Sequence, residues 1–276
     1  NFKILAAVGL KSVNIFNFNK NNRESTETSN KRQLLTTFAV MLDVLWEDNH
    51  LIFINKPSGL PVQGDSSGDR HLQELVEEYI RVKYQKPGAA FVGLVHRIDR
   101  PVSGVVVMAK SSKALTRLNE IFKEKTNTKI YHLLTENRME EDEGTLFNYI
   151  AKDGRINRAH VYTRPRTGSK EAHLSYKLLA NYGGKNLYEV KLQTGRFHQI
   201  RAQFGHMGCP ILGDVKYGAK NPLRGRAIAL HARTLITPHI VKDKPEIRVS
   251  APYPKEQWWQ LFKDPLKQGP KKHRRS

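Results

Sequence analysis

The sequence predicts an α+β fold, and three observations carry that prediction. Short β-branched runs at residues 92–95 and 105–107 read as buried strands. Apolar residues recur every three to four positions over 71–84 and 112–122, the period of amphipathic helices. Ala172, Leu174, Tyr176 and Leu178 alternate with polar residues, as do Tyr188, Val190 and Leu192, and Asn181-Tyr182-Gly183-Gly184 between them is a turn, so the two segments form an antiparallel pair. A chain of 276 residues can bury a sizeable core, in one large domain or two small ones.

In chain order, residues 1–40 are expected to be a poorly ordered leader, because 14–32 are rich in Asn, Lys, Ser and Thr. Lys3 and Lys11 are compatible with an organellar transit segment, whereas Glu24 and Glu27 argue against one. A folded unit is expected over 41–264, starting with a strand at 43–47. The apolar run 51–55 then stops at Lys56-Pro57-Ser58-Gly59, a turn expected to expose the lysine. The helix over 71–84 buries Leu72, Leu75, Val76, Tyr79 and Ile80. The helix over 112–122, capped by Ser111 or Ser112, buries Leu115, Leu118, Ile121 and Phe122.

A strand is expected at 129–134, a turn at 142–144, and an exposed basic loop or hairpin where Arg155, Arg158, Arg164, Arg166 and Lys170 are punctuated by Gly154, Pro165 and Gly168. Strands at 227–235 and 246–249 follow. A short helix at 255–262 comes next, with one of Trp258 and Trp259 in the core, and then a disordered basic tail at 265–276.

Lys and Arg number 46 against 26 Asp and Glu, a net charge of +20. Such an excess points to a polyanionic partner, nucleic acid before an acidic membrane surface. The single cysteine, Cys209, excludes an intrachain disulfide and a cysteine-cluster metal site and fits a reducing, cytoplasmic setting. No stretch reaches the roughly 18 apolar residues of a membrane span. His198 and His206 lie without an acid at ligand spacing, so no metal is expected, and a monomer is.

Two stretches carry chemistry. Residues 92–110 place Asp99 between Arg97 and Arg100, two cations that stabilise its negative charge, at a strand end where a scaffold can hold a reactive group in a cleft. Residues 192–217 end a strand at Thr194-Gly195 and begin a helix, with Phe197, Ile200, Phe204 and Met207 as its apolar stripe. Arg196, His198 and Gln199 at that helix N-terminus suit an anionic phosphate, by the dipole and the free N–H groups.

On these residues the chain resembles the RluA-type pseudouridine synthases, from about Asp43 to Phe262. Three motifs occur in order: Asn55-Lys56-Pro57-Ser58-Gly59-Leu60; His96-Arg97-Ile98-Asp99 with Ser103-Gly104; and Gly195-Arg196-Phe197-His198-Gln199-Ile200-Arg201 with Gly213-Asp214. Lys129-Ile130-Tyr131 matches the tyrosine-bearing strand. Ile98 and Val102 stand where the family commonly has Leu and Thr, the second change removing a hydroxyl.

The resemblance implies a mixed, mostly antiparallel sheet bent around a cleft, with flanking helices. It also implies isomerisation of uridine to pseudouridine in structured RNA, ribosomal or transfer, with no cofactor. Catalysis would fall to Asp99 as nucleophile or base, Arg201 as its partner and Tyr131 stacked on the uracil; Arg97 would fill the gap left by the flipped base, and Lys56, Arg196, His198 and Gln199 would contact RNA. The competing reading is a non-catalytic RNA-binding or RNA-chaperone protein, which the carboxylate argues against, since among phosphates it repels. A hydrolytic nuclease is weakened by the lack of a carboxylate cluster to hold metal ions.

Overall fold

The computed structural model describes residues 42–264 and 266. The leader expected at 1–40 and, apart from Leu266, the tail at 265–276 lie outside the described residues. Asp48 opens the fold: its carboxylate accepts the N–H groups of His50 and Leu51, both at 2.7 Å, and so turns β1 (Asp43–Glu47) back into β2 (Leu51–Lys56). β2 is a continuous apolar run because both of its faces are covered. Leu51 and Phe53 join one core cluster, and Ile52 and Ile54 the other.

Two helices cover those faces. α1 (Leu72–Lys83) is capped by the His71 ring and buries the five residues its periodicity predicts; α2 (Ser112–Glu124) is capped by the Ser111 hydroxyl and sits on the opposite face. In α2, Ala114 and Leu118 are the fully buried pair, while Leu115, Ile121 and Phe122 pack half-exposed around them.

Between the helices, β3 (Gly93–Leu94) and β4 (Ser103–Ala109) are shorter and longer than expected, so Ser103-Gly104 begins a strand and is not part of a loop. Gly104 is needed there. Its φ is +113°, and a Cβ would collide with the backbone of Ala232 on β10 (Leu230–Thr237), the parallel neighbour of β4.

The other pairings are antiparallel. β5 (Thr128–Thr135), β6 (Glu143–Asp153), β7 (Arg158–Tyr162), β8 (Lys170–Tyr182) and β9 (Lys185–Leu192) complete the sheet with β11 (Ile247–Ser250). The order is β1-β2-β4-β10-β5-β9-β8-β6-β7, with β3 on β4 and β11 on β10. This is the mixed, mostly antiparallel sheet the resemblance implies. β6 occupies the turn expected at 142–144 and extends well beyond it, and β6 with β7 forms the hairpin that carries Arg155 and Arg158.

α3 (Gln199–His206) lies at the seam of the sheet's halves: Ile200 and Phe204 face the main core, while Ala202 packs with Ile150, Ala159, Ala172 and Tyr217 near the hairpin. It starts four residues later than the sequence suggests, β9 stops at Leu192, and Met207 is exposed instead of completing an apolar stripe. α4 (Gln257–Gln260) is a single turn that buries Trp259, with Trp258 at its edge.

Candidate active site

Asp99 lies in the connection between β3 and β4, where its own carbonyl accepts the Val102 N–H at 3.0 Å and the next residue's carbonyl accepts the Gly59 N–H at 2.8 Å. Its side chain is 27% exposed, enough to meet a substrate. Arg201, on the first turn of α3 and buried, donates from Nη1 to Asp99 Oδ2 at 3.0 Å.

The same guanidinium is held from behind by Asp214, with Nε to Oδ2 at 2.7 Å and Nη2 to Oδ1 at 2.9 Å, a bidentate pair that fixes its plane. Burial alone would lower the Arg201 pKa; the bonds and charge of Asp214, and then those of Asp99, outweigh it and hold the guanidinium above its ordinary value. Asp214 is almost fully buried and serves Arg201, whereas Asp99 is open to solvent. The residue pattern marks Gly213-Asp214 as a motif but does not reveal that geometry.

His198 is the third group at the carboxylate. It is buried, its Nε2 is 3.6 Å from Asp99 Oδ2, and its Nδ1 is 2.8 Å from the Tyr217 hydroxyl. A phosphate contact at an open helix end was expected here; instead the ring lies between Phe197, on which it stacks at 3.8 Å, and Tyr217. Gln199 is likewise buried. Its Oε1 accepts from Thr194 Oγ1 at 2.8 Å and from the Arg196 N–H at 2.9 Å, and its Nε2 donates to the His173 carbonyl at 3.0 Å, so its amide ties the loop to β8. Arg196 is half-exposed and gives one N–H to the Glu171 carbonyl at 2.7 Å.

Lys56 departs furthest from expectation. It is fully buried, because Pro57 and Gly59 fold the turn over the ammonium group and offer it carbonyls: Nζ donates to Pro57 O at 2.8 Å, Leu60 O at 2.7 Å and Arg100 O at 3.2 Å. Burial brings its pKa down to about 7, with Asp99 acting in the opposite direction and Arg100 adding to the drop. It braces the Asp99 loop from beneath. Arg100 turns away from Asp99, to Asp69, Ser67 Oγ and the Gly59 carbonyl. Arg97 is exposed, with no hydrogen bond or ion pair to any described residue.

Tyr131, on β5 opposite Val190 and Ala232, is half-buried, and burial, then the Asp99 charge, raises its hydroxyl pKa. Among the described residues, no group of three or more His, Cys, Asp or Glu is placed to hold a metal ion.

A solvent-open carboxylate clamped by a buried arginine at the seam of an α+β sheet, in a chain of charge +20, has the form of an enzyme that acts on a polyanion. Comparison with known proteins narrows that class. The family model described as RNA pseudouridylate synthase matches residues 50–206. The uncharacterized RNA pseudouridine synthase YhcT of Bacillus subtilis is 34% identical over 218 residues, which cover 77% of this chain and 69% of that one. Ribosomal large subunit pseudouridine synthase C of Rickettsia prowazekii is 34% identical over 214 residues, 76% of this chain and 68% of the relative.

Among solved structures, human RNA pseudouridylate synthase domain containing 4 superposes with a TM-score of 0.67 at 24% identity, covering 83% of this chain and 94% of its own. Human RNA pseudouridylate synthase domain containing 1 gives 0.60 at 26%, covering 77% and 84%. The chain belongs to the RNA pseudouridylate synthase family, of the RluA type, and is an RNA-modifying isomerase.

Proposed function

We propose that Asp99 is the group that starts the isomerisation and that the substrate is a structured ribosomal RNA. The observation that supports this most strongly is the division of labour at one carboxylate: Arg201 Nη1 donates to Oδ2 at 3.0 Å and His198 Nε2 approaches the same oxygen at 3.6 Å, while no described residue bonds Oδ1.

The overall reaction breaks the N1–C1′ bond of uridine, turns the uracil, joins C5 to C1′, gives the C5 proton to solvent or base and returns one proton to N1, so that atoms are conserved and there is no net oxidation. Asp99 acts as nucleophile, on the ribose or the ring, or as the base of an elimination. Arg201 keeps the carboxylate charged and oriented. Tyr131 stacks on the uracil, with its hydroxyl near the proton that is lost. A base inside folded RNA must leave its stack, at a cost of a few kcal/mol, and the unpaired guanidinium of Arg97 takes the vacated place.

Arg196, together with Arg155, Arg164 and Arg166 on and beyond the β6–β7 hairpin, neutralises phosphates around that opening. The ribosomal assignment rests on relatives named for the large ribosomal subunit. No helix among the described residues is long and apolar enough to cross a membrane. We place the enzyme in the cytoplasm, acting as a monomer. Mapping pseudouridines in ribosomal and transfer RNA from cells with and without this protein tests the substrate: loss of a ribosomal site alone is expected, and loss confined to transfer RNA would overturn the ribosomal assignment.

A further inference from the structure

We propose that His198 and Tyr217 form a positioning relay, in which the Tyr217 hydroxyl fixes the imidazole as the tautomer that presents its Nε2–H to Asp99. The proposal rests on Asp99 being the reacting group.

The proton positions follow from hydrogen-bond accounting. Tyr217 Oη accepts the backbone N–H of Ala159, the second residue of β7, at 2.8 Å. It also lies 2.8 Å from His198 Nδ1. A phenol has one proton to give. If Nδ1 carried the imidazole hydrogen, the tyrosine O–H would be left buried with no acceptor among the described residues, which costs more than a satisfied bond returns. The hydroxyl therefore donates to Nδ1, and the ring hydrogen resides on Nε2, which faces Asp99 Oδ2 at 3.6 Å.

At 3.6 Å the last contact is longer than a hydrogen bond. Catalytic contacts in a free enzyme are often long and tighten when substrate arrives. Burial, the largest influence, brings the imidazole pKa down to about 4 against the pull of Asp99, with Arg201, Lys216 and Lys152 adding to the drop, so the ring is a neutral donor at physiological pH.

A second observation shows that the fold holds the ring in place by more than one means. His198 occupies the left-handed region, with φ +53°, at the N-cap of α3, yet its side chain makes no capping bond. A non-glycine residue at positive φ is uncommon, although histidine tolerates it better than most, and it persists where the surrounding structure holds it. It is held on one side by Phe197, itself covered by Lys152 Nζ at 4.7 Å from its ring centroid, and on the other by Tyr217.

Tyr217 reaches this position because Gly205 lets its turn approach α3; a Cβ there would come within 2.7 Å of the Tyr217 carbonyl. The Tyr217 ring also lies 5.2 Å from the Arg201 guanidinium carbon and 5.4 Å from that of Arg158. One tyrosine thus links the β6–β7 hairpin, the clamp on Asp99 and the imidazole. With Arg201 bonded to Oδ2 and His198 approaching the same oxygen, tightening of the His198 contact would hold the carboxylate with Oδ1 toward the substrate.

The test uses the full chain and a large-subunit ribosomal RNA transcript tritiated at C5 of uridine, with single-turnover rate and RNA affinity measured for each variant. Tyr217→Phe keeps the ring and removes only the hydroxyl. His198→Leu removes the donor, whereas His198→Gln returns an amide N–H at similar reach. The first two are expected to lose roughly 10- to 100-fold in rate, by analogy with the loss seen when a group that orients a metal ligand is removed. RNA affinity should stay within about twofold, and His198→Gln should recover part of the rate.

Unchanged rates in Tyr217→Phe and His198→Leu overturn the relay, and so does a rate loss matched by an equal loss of affinity or a His198→Gln rate equal to that of His198→Leu. Asp99→Asn run alongside separates the two readings: if it is active, the assignment of Asp99 fails; if it is inactive while the relay variants are unimpaired, only the relay fails.

Discussion

Arg201 has one partner that is buried and one that works at the surface. Its loss would leave Asp214 buried without its cation as well as freeing Asp99. Arg201→Ala is therefore expected to lower stability by about 3–5 kcal/mol, the usual cost of breaking a buried ion pair from one side, together with activity. A urea unfolding curve with an unchanged midpoint would contradict this. Lys56 belongs to the same scale. Lys56→Met removes the donor shared by three carbonyls under the Asp99 loop and should cost about 1–3 kcal/mol, read from the same curves.

The sequence shows Asp99 and Arg201 as a pair only through the family resemblance; its residue pattern alone sets Asp99 between Arg97 and Arg100. It does not reveal that Lys56 is buried, that Arg100 turns to Asp69, or that His198 faces Asp99. Each of those depends on which carbonyl or carboxylate the fold brings near, and residue spacing carries no such information.

At the scale of elements, periodicity worked where one face alone is buried. α1 has the stripe Leu72, Leu75, Val76, Tyr79 and Ile80, and the β8–β9 pair has the alternation that the sequence displays. It failed where the pattern is mixed. β6 runs Glu143–Asp153 with partly exposed Phe147 and Tyr149 on a face that is not core, so its alternation is weak, and α3 is preceded by a loop whose residues share the helix's composition.

The hairpin β6–β7 and the loop after it also carry a prediction. Arg155 is almost wholly exposed, and Arg164 is exposed as well. Replacing both by alanine should weaken RNA binding and reduce the slope of log affinity against log salt by roughly one per lost phosphate contact, while turnover at saturating RNA holds. An unchanged slope would place the RNA elsewhere.

For the whole molecule, the basic excess and three histidines make two different statements about solution behaviour. The excess makes RNA binding steeply salt-dependent, as counterions are released from neutralised phosphates. The histidines make the fold acid-sensitive. Burial brings His96 and His231 down to about 3 and His198 to about 4, and His96 accepts the Val107 N–H at 3.0 Å, a bond only the neutral ring can make.

In the unfolded chain these rings bind protons near pH 6.5, whereas in the fold they do so only near 3–4, so between those values the unfolded state holds more protons. The stability they confer is complete above about pH 6.5 and is lost as pH falls toward 4, by about 2 kcal/mol for each of His96 and His231 at pH 5. A melting temperature that is flat from pH 7 to pH 5 would contradict these assignments.

The central claim is that the carboxylate of Asp99 starts the isomerisation, and Asp99→Asn tests it most directly. The amide keeps the shape but cannot serve as nucleophile or base. Tritium release from RNA labelled at C5 of uridine should fall to background, while the melting curve holds and RNA affinity holds or rises, because one negative charge facing a polyanion is gone. Tritium release by Asp99→Asn at a rate comparable to that of the unmodified protein would contradict the account.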